Sequence, residues 1–121
     1  MITITAPAYP FLPESIWIIM RKLAPKVRGE LAEIRFLLEA ASRGFIVAKP
    51  WGDSLPFDFL VGRGGRYLRV QVKSTSRRLG VSRYNVHCDR PAGKRPYTAR
   101  QIDLLVAYVV PEDRWFVIPV R

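Results

Sequence analysis

The chain has 121 residues, 49% of them apolar, and carries 20 Lys and Arg against 10 Asp and Glu, for a net charge of +10. That length makes one domain with a modest core the default, and so basic a surface attracts polyanions, nucleic acid first among them. The lone cysteine, Cys88, excludes an intrachain disulfide and argues against a cysteine-based zinc site, and the apolar run 16–20 is far short of the roughly 20 residues needed to span a bilayer.

Residues 1–28 read as an N-terminal extension, partly helical or flexible. Pro7, Pro10, Pro13 and Pro25 punctuate it, and only Glu14 to Leu23 has room for a short helix. Residues 29–121 are the expected domain. From Gly29 to Arg43 the spacing predicts a helix, because Val27, Leu31, Ile34, Leu38 and Ala41 recur at steps of four and three. Glu30 sits in its first turn, where negative charge suits the helix dipole, and Gly44 is the expected stop. Strands are predicted over 45–47, 57–61 and 67–74, the last two joined through Arg63-Gly64-Gly65-Arg66, a strong hairpin signal. Residues 76–97 read mostly as basic loop with one strand at 84–88. Thr98 caps a short helix through Ile102, and strands at 104–110 and 115–120 close the chain. This order is an α/β (α+β) domain built on one central mixed sheet. Trp51, Phe57, Trp115 and Phe116 are expected in the core. With no signal-peptide pattern in the sequence, cytoplasmic residence is expected.

The charge is unevenly placed. Eleven basic residues lie between Arg63 and Arg100 with a single acid, Asp89, whereas the first 62 residues hold seven basic and six acidic. Arg77, Arg78, Arg83, Arg90, Lys94 and Arg95 are the expected phosphate contacts. Tyr84 and Tyr97, set among them, are candidates for stacking on bases. The competing reading is a solvated basic face.

The hairpin register locates the candidate chemistry. With Gly64 and Gly65 as the central turn residues, Arg63 faces Arg66 and Asp58 faces Gln71. Lys73 follows two residues on, on the same side as Gln71, while Val70 and Val72 point into the core. A carboxylate and an amide oxygen are hard ligands of the kind Mg²⁺ takes. A bound ion can lower the pKa of a water and polarise a phosphoryl oxygen, and a nearby ammonium can orient that water. Glu30 adds a carboxylate if the helix start packs beside the hairpin, with Glu33 a competing candidate one turn on.

Gly29-Glu30 on a helix, then Pro56-Phe57-Asp58, then Gln71-Val72-Lys73 resembles the PD-(D/E)XK nuclease superfamily, and in its glutamine most the group I intron homing endonuclease type. The resemblance implies a restriction-endonuclease-like α-β-β-β-α-β core over roughly residues 29–119. It implies a homing- or restriction-like DNA endonuclease using Mg²⁺, with Mn²⁺ as a substitute. It makes Glu30, Asp58 and Gln71 the metal ligands and places Lys73 beside the attacking water. Gln71 stands where the family has Asp or Glu, which removes one negative charge. Cutting both strands of a duplex then implies a homodimer or tetramer. Two alternatives stay open: a catalytically degenerate DNA-binding protein of the same fold, and an RNA-binding protein using the same charge.

Overall fold

The computed structural model describes residues 2–5, 20, 22–76, 83–86 and 95–121. Its elements, in chain order, are strand β1 (Ile2–Thr5), helix α1 (Pro25–Ser42), strands β2 (Ile46–Ala48), β3 (Phe59–Arg63), β4 (Arg66–Thr75), β5 (Arg83–Val86) and β6 (Leu104–Val109), a 3-10 turn (Val110–Glu112), and strand β7 (Arg114–Pro119). Five strands form one sheet in the order β2-β3-β4-β6-β7, and β1 and β5 form a separate two-stranded ribbon. Neighbours are antiparallel except β4 and β6, whose parallel pairing makes the sheet mixed.

Pro25 opens α1 where a missing N–H costs nothing. At the other end Gly44 N–H donates to Ala41 O and Phe45 N–H to Ala40 O, a Schellman closure that turns the chain directly into β2. The helix packs through Ala32, Phe36 and Ala40, all buried, onto Phe59, Val70, Val72, Val106 and Tyr108 of the sheet. The small alanines let the helix approach closely. The stripe anticipated from spacing is differently placed: Ile34 and Leu38 are 59% and 70% exposed, and Val27 is also exposed. The helix is apolar on more than one side, so periodicity gives the element but not its rotation.

The β3–β4 hairpin has the expected register, with Arg63 opposite Arg66 and Phe59 opposite Val70. Gly64 and Gly65 have φ of 63° and 80°, the left-handed pair a two-residue hairpin requires. Gly62 is needed for another reason. The ring of Tyr67, its cross-strand partner, lies so close that a Cβ at 62 would stand 2.5 Å from Tyr67 Cδ1 and 2.7 Å from Arg66 O.

The opposite face of the sheet has its own cluster, in which Ile4 of β1 and Tyr84 and Val86 of β5 bury Leu105, Ala107 and Val109 of β6 together with Ile102. A ribbon thus contributes to this layer. The short helix expected at 98–102 is a single turn, closed by Gln101 N–H and Ile102 N–H donating to Thr98 O. Arg69 holds that turn to β4, donating to the carbonyls of Ala99 and Arg100 and to both carboxylate oxygens of Asp103. The guanidinium keeps the Asp103 carboxyl below the ordinary carboxylate range, and Asp103 buttresses the start of β6. Phe57, Trp115 and Phe116 pack on the two cores as expected, but Trp51 is fully exposed, at 100%.

Candidate active site

Asp58 lies one residue before β3 begins, where β3 parts from β4. Its N–H donates to Val70 O at 2.8 Å, and its Oδ2 accepts from Val72 N–H at 2.9 Å. The side chain takes the place of a strand acceptor, so the carboxylate is held near the sheet plane between the two faces of the sheet. The two bonds bracket Gln71. Beyond this point β4 runs on against β6 alone, and Gln71 and Lys73 are in register with Leu105 and Ala107. With Val70 and Val72 buried towards α1, Gln71 and Lys73 face the other way, half-buried. The Lys73 ammonium stands 5.5 Å from the centre of the Tyr97 ring.

From the helix side a second carboxylate meets Asp58, and it belongs to Glu33. The Glu33 carboxyl is held above its ordinary range, first by burial, then by a hydrogen bond with Asp58 and by the Asp58 charge, against the opposing pull of Lys49. Lys49 Nζ is 3.6 Å from Glu33 Oε1 and 4.8 Å from the centre of the Phe59 ring. Glu30 is exposed one turn earlier, and among the described residues no three His, Cys, Asp or Glu side chains form a cluster that could hold a metal. Of the two candidates, it is Glu33 that lies beside Asp58, while Glu30 is exposed. Ala32, Phe36 and Ala40 fix the helix rotation, and that rotation turns Glu33 inward.

The oxygen donors offered from the helix side are the Glu33 and Asp58 carboxylates, while the Gln71 side chain leaves β4 on the opposite face. Two crowded carboxylates resist joint ionisation unless a cation relieves them. Hard oxygen donors suit Mg²⁺, which needs only one or two carboxylates and keeps several waters. The residues present fit such an ion.

The remaining sequence candidates divide three ways. Arg83 and Arg95 are exposed, as phosphate contacts require, and Tyr97 is half-buried near Lys73. Tyr84 is not available for stacking: it is fully buried, and its hydroxyl donates to Glu112 Oε1. Arg77, Arg78, Arg90 and Lys94 lie outside the described residues. Lys49 had no signal of its own in the sequence, since it belongs to no motif and reaches the site only through the pairing of β2 with β3.

Comparison with known proteins gives a consistent picture. The family model for PD-(D/E)XK endonuclease matches residues 23–121. The solved structure of a bacterial homing endonuclease, I-Ssp6803I, superposes with a TM-score of 0.67 at 32% identity, covering 80% of this chain and 66% of that one, just under two thirds of its length. No curated protein matches.

Proposed function

The chain belongs to the PD-(D/E)XK endonuclease family, and from that premise we propose that it is a Mg²⁺-dependent endodeoxyribonuclease whose site is formed by Glu33, Asp58, Gln71 and Lys73. The observation that carries this reading is the Asp58 carboxylate, pinned to Val72 N–H where two strands part and meeting a second carboxylate from α1. A rigidly held ligand beside an open strand end is what a metal-assisted phosphodiester hydrolase needs.

In this reading Glu33, Asp58 and the Gln71 amide oxygen hold the ion. When bound, the ion lowers the pKa of a coordinated water and offsets charge on the phosphoryl oxygens. Lys73 orients the attacking water and stabilises the developing phosphorane charge from the other side of β4. The Tyr97 ring beneath the ammonium limits where Lys73 can reach. Arg77, Arg78, Arg83, Arg90, Lys94 and Arg95 grip the DNA backbone. One such site cuts one strand, so a double-strand break calls for a two-fold assembly of at least two copies.

The test is cleavage of supercoiled plasmid with Mg²⁺ or Mn²⁺. Asp58→Ala and Lys73→Ala are each expected to lower the rate at least about a hundredfold while leaving the protein folded. A second reading, DNA binding without cleavage, is favoured by Gln71, which leaves the site with one charge fewer than an Asp or Glu at that position would give. Gln71→Glu separates the two. It is expected to tighten metal binding and keep or raise cleavage. No cleavage with either residue and any metal would leave only the binding reading.

A further inference from the structure

The connection between β2 and β3, residues 49–58, ends at Asp58 and begins at Lys49, and both ends reach the same place. Lys49 is more than half exposed, at 58% for its side chain, and its 3.6 Å approach to Glu33 is long for an ion pair. An ammonium in that position is lightly held and faces solvent at the mouth of a carboxylate pair. Two residues on, Trp51 is 100% exposed, and Leu55 is 50% exposed. A tryptophan wholly in water forgoes the burial that usually dominates its energetics. Large exposed apolar groups beside a site mark contact with something else.

We propose that this loop is a DNA-gripping element, with Lys49 on a phosphate next to the scissile one and Trp51 packed against the sugar and base beyond it. The proposal rests on the nuclease reading for the identity of the partner and goes beyond it in assigning two residues outside the family motif. The charge logic is direct. Without DNA, the Glu33 and Asp58 carboxylates are the nearby anions, and Lys49 leans on Glu33. Were those carboxylates to hold a divalent ion, Lys49 would lose Glu33 as its anionic neighbour, and a phosphate would be the anion left to receive it. Lys73 sits on the other face of β4, over Tyr97, and Lys49 over Phe59, so the two lysines would approach a phosphate bound between them from different sides. Asp53, the one acid at the bend of the loop, is exposed and leaves Trp51 as the apolar contact there. Trp51 suits a duplex because an exposed indole can pack on deoxyribose in a groove or wedge into a base step, whatever the sequence.

The experiment uses the full chain, a random-sequence DNA duplex and Ca²⁺ in place of Mg²⁺ so that binding is read without cleavage. Duplex is expected to quench tryptophan emission, and Trp51→Phe to remove most of that response. Trp51→Ala is expected to weaken binding about tenfold. Lys49→Gln is expected to weaken binding and to reduce the slope of log affinity against log salt by about 0.9, with Lys49→Arg restoring it. Mn²⁺ binding to the DNA-free protein is expected to be no weaker in Lys49→Gln than in wild type, because Lys49 competes with the ion. If Trp51→Phe keeps the full quench, and Trp51→Ala and Lys49→Gln bind duplex as wild type does, the proposal is overturned. That result in a protein that still cuts plasmid leaves the nuclease reading standing. Loop-dependent binding by a protein that never cuts fails the nuclease reading and leaves the loop assignment intact.

Discussion

Glu33 shows how a single side chain records what a site is for. Its carboxyl is raised above the ordinary value of 4.5, mainly by burial and by Asp58. A raised acid is favourable to folding only while protonated. Its contribution is fully present below about pH 4.5 and is lost as pH rises through the folded value. At neutral pH the ionised Glu33 therefore costs stability. Glu33→Gln is expected to raise the thermal midpoint at pH 7 and to lose that advantage at pH 4, as read by calorimetry at the two pH values. The same substitution is expected to weaken metal binding and cleavage, the usual trade where a site is built against its own stability. A lower midpoint at pH 7 would remove the idea that this carboxylate is strained. The hairpin register that sets Asp58 level with Gln71 was legible from residue spacing, because a two-residue turn fixes pairing arithmetically. Glu33 was legible only as one of two candidates. The choice between it and Glu30 depends on helix rotation, which the packing of Ala32, Phe36 and Ala40 decides.

At the scale of elements, the hairpin carries the candidate site, and its strands close together where the Tyr67 ring lies over Gly62. A methyl at 62 would meet the Arg66 backbone, which cannot yield as a side chain tip can. Gly62→Ala is expected to destabilise by about 1–3 kcal/mol, measured by urea unfolding. Gly62→Ala combined with Tyr67→Ala is expected to recover only part of that loss, because the carbonyl contact remains. The strands were readable in the sequence through alternation and turn residues. The β1–β5 ribbon was not, since its pairing joins positions about eighty residues apart and no local pattern announces it. Tyr84 was misread for the same reason: in a basic segment an aromatic looks like a surface residue until the ribbon that buries it is known. The turn at 98–102 looked helical because Thr98 opens it, with the Gln101 side-chain oxygen accepting from the Thr98 N–H and hydroxyl, but its one large apolar residue, Ile102, gives too little to hold a longer element.

For the molecule as a whole, the net charge of +10 sets how it meets its partner. If the six basic residues from Arg77 to Lys94 and Arg95 each neutralise a phosphate, log affinity should fall against log salt with a slope of about −5, a loss of roughly a thousandfold between 50 and 200 mM. A fluorescence-anisotropy salt series on a random duplex reads this directly. A slope near −1 would mean that the basic half is not the binding face. The same series with an RNA duplex tests the RNA-binding alternative, which requires tighter binding to RNA than to DNA.

The ribbon carries a practical lesson for handling the protein. Ile4, from the very front of the polypeptide, is wedged among Tyr84 and Val86 with only 5% of its surface in water. Trimming the leading six residues, or starting translation at Met20, would strip β5 of β1, its one strand neighbour among the described residues, and wet one side of the hydrophobic layer that supports β6. Shortened versions should melt earlier and succumb faster to proteases at β5, residues 83–86.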